Sequence, residues 1–208
     1  MLFPADLLLI RHGTTAYNAA DRLQGRIDLP LSDRGRREAL SLAKVLAGES
    51  IDLVICSPMI RARQTADIAM DGREVDFRIE DSFVEIDIGE WEGQEYGAVR
   101  SGDPEFFARW HEDPRVCIPG GESFADVCDR VRPGVEAIIR ADNARRILVS
   151  GHATVNRAIL AAVMALEPEA ARRFRVLNAS LSRLRLEERS GNITALVESW
   201  NQTGHLED

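Results

Sequence analysis

Three short segments of the chain are almost continuously apolar instead of alternating between apolar and polar residues. They span residues 7–10 (LLLI), 53–56 (LVIC) and 147–150 (ILVS). Strands that are covered on both faces have this composition, and such strands are typical of a parallel sheet. We therefore predict that the three segments are strands of one largely parallel sheet.

A helical spacing of apolar residues follows each of these segments. Apolar residues recur three or four positions apart from Ala39 to Leu46, which predicts an amphipathic helix over residues 34–48. Similar spacings after Pro58 and after Gly151 predict two more helices. Strands and helices therefore alternate along the chain, which indicates an α/β layer fold.

The remaining pattern adds a helix and a hairpin. Ser123 and Asp126 form a variant of the capping box ahead of apolar residues at helical spacing, and Pro133 inside this helix predicts a kink. Two segments on either side of residues 190–192 (SGN) predict a pair of antiparallel strands. Because no linker or repeat interrupts residues 1–208, we predict a single domain.

Composition narrows the partners and the location. The formal net charge is −8, whereas a nucleic acid or an anionic membrane needs a surplus of Lys and Arg on one face, so neither partner is expected. The N-terminus lacks a basic signal-peptide region, and the longest apolar run, residues 158–166, is too short to span a membrane. An odd number of cysteines without a CxxC pair indicates reduced thiols and a cytoplasmic protein. These cysteines are Cys56, Cys117 and Cys128.

Positively charged and imidazole side chains follow the three predicted strands. Arg11 and His12 come directly after the first strand, Arg61 follows the second, and His152 follows the third. Ligands of open α/β sheets bind beyond the carboxyl ends of the parallel strands, so we expect these four side chains to meet at one edge.

This set of side chains suits the chemistry of phosphate. The planar guanidinium of arginine matches phosphate oxygens, and a neutral histidine nitrogen can attack phosphorus to form a covalent intermediate. Catalysis of phosphoryl transfer comes mostly from groups that stabilise charge on the transferring phosphoryl oxygens. A carboxylic acid is also needed, because the leaving alkoxide takes up a proton.

Five segments resemble those of the histidine phosphatase superfamily, also called the phosphoglycerate mutase-like family. RHGTTAYN resembles its motif RHG-x-[ST]-x-x-N, and the other segments follow in the family's order over nearly the whole chain. The five segments are residues 11–18, 23–39, 57–66, 84–93 and 150–160.

The resemblance implies a three-layer α/β/α sandwich and a role for each matched residue. It makes His12 the nucleophile that becomes phosphorylated, with Arg11, Arg61 and His152 holding the phosphate. It also makes Glu85 the general acid, later the base for water. Three neighbouring carboxylates are as close in the sequence, and spacing alone does not choose among them. They are Asp87, Glu90 and Glu92.

Three further assignments follow from the same resemblance. Asn18 is expected to add a donor to the phosphate pocket, and Gln24 and Gly25 are weaker candidates for substrate contacts. Thr14 stands where the motif commonly has Glu or Gln, so any side-chain role at this position is in doubt. The aromatic segment 90–122 is interpreted either as a helical excursion with its own small core or as a lid over the site.

The predicted function is a metal-independent phosphomonoesterase, most similar to the shorter phosphatase branch of the family. It acts on a small phosphorylated metabolite and uses no cofactor, because neither histidine has a metal-ligand spacing around it. Two alternatives remain: a cofactor-dependent phosphoglycerate mutase, and an inactive family member that serves as a binding or regulatory module. The identity of the metabolite is open, and so is a homodimer.

Overall fold

The computed structural model describes residues 5–141, 145–189 and 192–206. Its strands are β1 (Ala5–Arg11), β2 (Leu53–Cys56), β3 (Asp76–Ile79), β4 (Arg146–Gly151), β5 (Leu181–Arg189) and β6 (Asn192–Gln202). Its helices are α1 (Ala16–Ala19), α2 (Asp33–Leu46), α3 (Ile60–Met70), α4 (Tyr96–Gly102), α5 (Pro104–Glu112), α6 (Phe124–Ala141), α7 (Ala153–Met164) and α8 (Pro168–Ala171). Two short 3-10 helices span Asp81–Phe83 and Gly89–Trp91.

The strands form one sheet in the order β3-β2-β4-β1-β5-β6. The first four are parallel to one another, whereas β5 is antiparallel to β1 and to β6. The predicted largely parallel sheet and its antiparallel strand pair are both confirmed, although the turn at residues 190–191 lies outside the described residues. Strand β3 was not predicted, because it lies at the sheet edge, where all four of its residues are exposed and do not form a continuous apolar segment.

Both faces of the sheet are covered, which explains the continuous apolar segments. In β1, Leu7 and Leu9 belong to a core formed with α6 and α7, whereas Leu8 and Ile10 belong to a second core formed with α2 and α3. Successive strand residues point to opposite faces, so each apolar pair supplies both cores. The three-layer α/β/α sandwich is thereby confirmed.

Side-chain caps fix where the helices begin. Ser32 caps α2 by accepting a hydrogen bond of 3.2 Å from the amide of Gly35. Ahead of α6, Ser123 and Asp126 form the predicted capping box, with both reciprocal bonds between 2.9 and 3.1 Å. Helix α2 ends two residues before the predicted boundary, and Pro133 lies inside α6, where the kink stays a prediction.

The start of α2 packs unusually closely against the loop that follows β1. A Cβ atom on Gly35 would lie 2.8 Å from the backbone nitrogen of Thr14, and a Cβ on Gly13 would lie 2.5 Å from the carbonyl oxygen of Gly35. Both glycines are therefore required by steric contact between two backbones. The close approach clamps the loop that carries His12 onto the second layer of helices.

Gly35→Ala is expected to lower the free energy of unfolding by roughly 1 to 3 kcal/mol, because the added methyl group overlaps the Thr14 backbone. Gly97→Ala is the matched control, since Gly97 also lies in the first turn of a helix but has open space around it. This control is expected to be neutral or stabilising by up to about 1 kcal/mol. Urea unfolding measures both, and equal stabilities would contradict the clamp.

Candidate active site

The structure brings the predicted arginines and histidines together at the carboxyl edge of the sheet. Arg11 is the last residue of β1, His12 follows it, and His152 is the N-cap of α7 directly after β4. The rings of His12 and His152 have centroids 5.2 Å apart. Arg61, in the first turn of α3, is only 1% exposed, and its charge acts on both imidazoles.

The contacts of His12 fix its tautomer. Its Nδ1 lies 2.8 Å from the carbonyl oxygen of Gly13, which can only accept, so Nδ1 carries the hydrogen and Nε2 carries the lone pair. Within the described residues Nε2 makes no hydrogen bond. Burial, and then the positive charges of Arg61 and Arg11, lower the pKa of His12 well below 6.5. At neutral pH the ring is therefore a neutral nucleophile with a free lone pair.

Long-range proton–nitrogen NMR spectra at pH 6.5 are expected to show His12 neutral, with the hydrogen on Nδ1. An exposed histidine would be half protonated at this pH. Here burial and two adjacent cations disfavour the imidazolium. The spectrum of the His12→Ala variant assigns the resonance. A ring that titrates near pH 6.5, or that carries its hydrogen on Nε2, would contradict this assignment.

His152 presents a donor to the same space. Its Nε2 lies 2.8 Å from the hydroxyl of Ser57, which also accepts a bond of 3.3 Å from the amide of Met59. The Ser57 hydrogen can therefore go to Nε2, an arrangement that leaves the hydrogen of His152 on Nδ1. That nitrogen is buried without a partner in the described part of the chain. Burial, followed by the charge of Arg61, lowers the pKa of His152 well below 6.5, so the ring is neutral.

Arg61 is held by the loop between β1 and α2. Its Nη1 and Nη2 donate to the carbonyls of Ile27 and Gly25, at 2.9 and 2.8 Å, and Nη1 lies 3.8 Å from Asp28. Its Nε is buried and has no partner among the described residues. The guanidinium is thus oriented mainly by neutral carbonyls, which leave most of its positive charge available to an anion.

Arg11 is arranged in the same way. Its Nη1 donates to the carbonyl of Val176 at 2.8 Å, and its buried Nε has no partner in the described ranges. Burial lowers the pKa of Arg11 to about 10, and the negative charge of Glu85 opposes that shift. The side chain is therefore still charged at neutral pH, and the site holds two oriented cations with an unused N–H each.

Glu85 lies among these cations. One carboxylate oxygen accepts from the amide of Ile86 at 2.9 Å, and the other from the amide of Thr154 at 3.4 Å, in the first turn of α7. Among the charged groups around Arg11 and Arg61, Glu85 has the largest effect on the pKa of each, and it raises both. Glu85 is thus fixed beside the helix that begins at the second histidine.

The other three carboxylates of this segment are placed differently. Asp87 pairs with Arg26 at 3.5 Å and accepts from the amide of Gly89, and Glu92 accepts from the amide of Arg26. Glu90 is exposed. Since these groups bind the neighbouring loop or solvent, the geometry favours Glu85 as the acid, a choice that spacing alone left open.

Asn18 keeps a free amide group at the site. Its Oδ1 accepts from the amide of Thr15 and from Nδ2 of Asn178, each at 3.1 Å. Its own Nδ2 makes no hydrogen bond to the described residues. The amide is therefore turned with its donor side available, as a phosphate ligand requires.

The two weaker candidates serve the loop that holds Arg61. Gln24 accepts from the hydroxyl of Thr15 at 2.7 Å and donates to the carbonyl of Ile27 at 3.0 Å, while the carbonyl of Gly25 accepts from Arg61. Both residues thus support an expected phosphate ligand. A direct contact with substrate by either one stays a prediction.

Thr14, the position at which the chain departs from the motif, binds Glu38. The hydroxyl and the amide of Thr14 both donate to the buried carboxylate of Glu38 in α2, at 2.9 and 2.7 Å. Arg34 donates to the same carboxylate at 2.9 Å. The short hydroxyl therefore attaches the His12 loop to α2 instead of reaching into the site.

Sequence reasoning missed two further residues that position the site. Nδ2 of Asn178 donates to the carbonyl of His12 at 3.1 Å and also orients Asn18. The hydroxyl of Thr65 accepts from the amide of Gly13 at 3.0 Å and donates to the carbonyl of Arg61 at 2.7 Å. Asn178 lies 160 or more residues from its partners, so no local pattern indicates its role.

The aromatic segment 90–122 forms its own cluster beside the site. Trp91 lies 5.1 Å from Trp110 and 5.8 Å from Phe107, measured between ring centroids, and Tyr96 lies 5.4 Å from Phe107. Trp91 and Trp110 also pack against the core under α6 and α7. The excursion with its own rings is therefore present, and movement as a lid stays a prediction.

Three features of the described residues concern metals, membranes and thiols. No group of three or more His, Cys, Asp or Glu side chains within residues 5–141, 145–189 and 192–206 is arranged to hold a metal ion. No helix in those ranges is long and apolar enough to cross a membrane. The cysteines are free thiols, of which only Cys117 is exposed.

Comparison with known proteins relates the chain to a family of phosphatases. Residues 7–199 match the sequence profile of the histidine phosphatase superfamily (branch 1). The chain is 34% identical over 201 residues to phosphoserine phosphatase 1 of Hydrogenobacter thermophilus, and the match covers 96% of this chain and 93% of that protein. A bifunctional protein of Mycobacterium tuberculosis is 36% identical over 204 residues. The chain spans 55% of the length of that relative, and 98% of this chain is matched.

A solved structure agrees with the sequence matches. The mycobacterial glucosyl-3-phosphoglycerate phosphatase in complex with VO3 superimposes with a TM-score of 0.87 at 29% sequence identity. The superposition covers 96% of this chain and 100% of that chain. The likeness therefore extends over nearly the whole chain.

Proposed function

This chain belongs to the histidine phosphatase superfamily, and on that basis we propose that it hydrolyses phosphomonoesters of small metabolites through a phosphohistidine on His12. Two of the three proteins compared above are named phosphatases, which supports a phosphoric monoester hydrolase. The observation that carries the mechanism is the hydrogen bond from His12 Nδ1 to the Gly13 carbonyl, which leaves the lone pair on Nε2, with the charges of Arg61 and Arg11 acting on the ring.

In the first step, the lone pair of His12 Nε2 attacks phosphorus. The new N–P bond forms as the bond between phosphorus and the leaving oxygen breaks, and protonated Glu85 gives its proton to that oxygen. The phosphorylated ring becomes an imidazolium. Its Nδ1–H donates to the Gly13 carbonyl, 2.8 Å away, which stabilises the new positive charge.

In the second step, water takes the place of the leaving group. The Glu85 carboxylate removes a proton from water, the water oxygen attacks phosphorus and the N–P bond breaks. Inorganic phosphate leaves, the lone pair returns to His12, and Glu85 is protonated again for the next cycle. No cofactor is consumed in either step.

Four donors are available for the transferring phosphoryl oxygens. Within the described residues, Arg11 and Arg61 each keep an unpartnered Nε, His152 keeps an unpartnered Nδ1, and Asn18 keeps its free Nδ2. Fixed donors of this kind stabilise the charge that spreads over those oxygens in the transition state. They also hold the phosphate in line with the lone pair of His12.

The test is a panel of phosphorylated metabolites and p-nitrophenyl phosphate, assayed for phosphate release with and without EDTA. We expect phosphate release that EDTA does not change. Loss of activity in EDTA would overturn the metal-independent mechanism, and isomerisation of 3-phosphoglycerate without phosphate release would establish the mutase instead. An absence of turnover on every substrate would favour the binding module.

A cytoplasmic location is part of the same proposal. Free thiols are maintained by the reducing conditions of the cytosol, and the exposed thiol of Cys117 fits that compartment. Light scattering of the purified protein distinguishes a monomer from the homodimer that the sequence left open.

A further inference from the structure

A cleft opens beside the proposed general acid. It has a volume of about 520 Å³, and its lining includes Ile86 and Thr154, the two residues whose amides hold the Glu85 carboxylate. The acid must lie next to the leaving oxygen, because it protonates that oxygen. A leaving group bonded to that oxygen can therefore extend into this cleft.

Three arginines line the cleft; Arg173 is exposed, and the two half-buried ones, Arg157 and Arg172, have no acidic partner among the described residues. Arg157, on α7, donates from Nε to the carbonyl of Phe174 at 2.7 Å, and Arg172, just after α8, donates to the carbonyl of Asp113 at 3.2 Å. Each is half-buried, and neither forms an ion pair with a carboxylate of the described residues. Neutral carbonyls thus orient both guanidiniums and leave their remaining N–H groups available.

An aromatic platform fixes the second arginine. The guanidinium carbon of Arg172 lies 4.7 Å from the ring centroid of Trp110, in cation–π contact. Trp110 also lines the cleft, and its indole nitrogen is buried without a hydrogen-bond partner in the described part of the chain. The wall of the cleft is therefore preorganised and rich in donors.

Negative charge in the cleft does not neutralise these cations. Glu112 and Glu169 line it, but both are exposed at its rim. Burial lowers the pKa of Arg172 to about 10, the positive charge of Arg157 adds to the shift, and the negative charge of Asp113 opposes it without forming an ion pair. The charge of Arg157 also acts on Arg11, so the three arginines extend a positive field from the phosphate site along the cleft.

We propose that Arg157 and Arg172 form a second anion-binding subsite, which holds a carboxylate on the leaving group of the substrate. The planar guanidinium accepts a carboxylate through two parallel hydrogen bonds, and half-buried cations without a partner gain most from such a pair. This inference rests on the proposed function, because the phosphate at His12 decides which end of the substrate enters the cleft. The substrate class is then a phosphorylated hydroxy acid or amino acid.

The test compares two substrates that differ only at the group in question. 3-Phosphoglycerate carries a carboxylate where glycerol 3-phosphate carries a hydroxymethyl group. We expect kcat/KM to be at least about tenfold higher for 3-phosphoglycerate, as one charged hydrogen-bonded pair provides. In Arg172→Gln, the loss should be at least about tenfold larger for 3-phosphoglycerate and should appear mainly in KM.

Two matched variants accompany Arg172→Gln. Arg175→Gln makes the same change of net charge at an exposed position and is expected to leave the ratio between the two substrates as in the wild type. Arg172→Lys keeps the charge and is expected to recover part of the preference, which also guards against a folding defect in the glutamine variant. Equal losses on both substrates, or an equal change in Arg175→Gln, would overturn the subsite.

Binding separates this inference from the catalytic proposal. Calorimetry on His12→Ala, which removes the nucleophile, measures the affinity for 3-phosphoglycerate and glycerol 3-phosphate. Tighter binding of 3-phosphoglycerate that is lost on adding Arg172→Gln supports the subsite, even if the wild type turns neither substrate over. Equal affinities would overturn it, even if the wild type hydrolyses p-nitrophenyl phosphate as proposed.

Discussion

Replacing His12 with alanine is expected to lower kcat/KM for p-nitrophenyl phosphate at least about a thousandfold, the scale of loss when a covalent nucleophile is removed. The remaining donors of the site can still bind the phosphate, but they cannot attack it. Among the described residues of the site, the other imidazole, His152, has its Nε2 in a hydrogen bond with Ser57, whereas His12 Nε2 is free. Initial rates measure the effect. His205→Ala serves as the control, because the ring of His205 lies 2.9 Å from the carbonyl oxygen of Ala179 and does not line the cleft beside Glu85.

The covalent intermediate gives an independent readout of the same residue. Rapid quenching into base preserves a phosphohistidine, and mass spectrometry of the peptide that contains His12 is expected to find the phosphoryl group there. Activity of His12→Ala within tenfold of the wild type, or a phosphoryl group on a different residue, would remove His12 from the mechanism.

The layers of the fold could be predicted because a strand that is buried on both faces must be apolar at nearly every position. Leu7 and Leu9 serve one core while Leu8 and Ile10 serve the other, so β1 has to be apolar throughout. Strand β3 differs because it lies at the exposed edge beside β2, where Phe77 and Ile79 alternate with polar residues and no residue is buried. Edge position, and not burial, explains the one strand that the pattern did not reveal.

The groups proposed for catalysis were predictable for a related reason, whereas their supports were not. Arg11, His12 and His152 follow strands that must end at one edge, so topology alone places them together. Asn178 and Glu38 act through contacts with residues 24 to 166 positions away along the chain, and a lone Asn or Glu gives no local pattern for such a contact. Support residues become visible only when the fold is known.

The geometry also explains how a chain of net charge −8 can bind an anion. Backbone carbonyls orient the arginines of the site and the cleft. The carbonyl of Val176 accepts from Arg11, and the carbonyl of Phe174 accepts from Arg157. A carbonyl fixes a guanidinium without cancelling its charge. Three arginines and two exposed carboxylates line the cleft, so arginines outnumber carboxylates there although carboxylates outnumber basic residues in the whole chain.

Glu85→Gln is expected to slow the two half-reactions to different degrees, depending on the leaving group. The leaving group of glycerol 3-phosphate is the alkoxide of glycerol, which needs a proton, so kcat/KM should fall by about a hundredfold to ten-thousandfold without the acid. The p-nitrophenolate ion leaves readily without one, so kcat/KM for p-nitrophenyl phosphate should fall far less. Water attack then lacks its base, and a burst of p-nitrophenol with accumulated phosphohistidine should precede slow turnover.

Stopped-flow absorbance measures this burst, and steady-state assays on both substrates measure the contrast between leaving groups. Glu90→Gln is the matched control, because Glu90 is an exposed carboxylate of the same segment and should show neither effect. Equal losses on the two substrates would mean that Glu85 only orients the phosphate. A burst in Glu90→Gln, and none in Glu85→Gln, would assign the proton transfer to Glu90. It would contradict the role proposed for Glu85, although backbone amides hold that carboxylate beside α7.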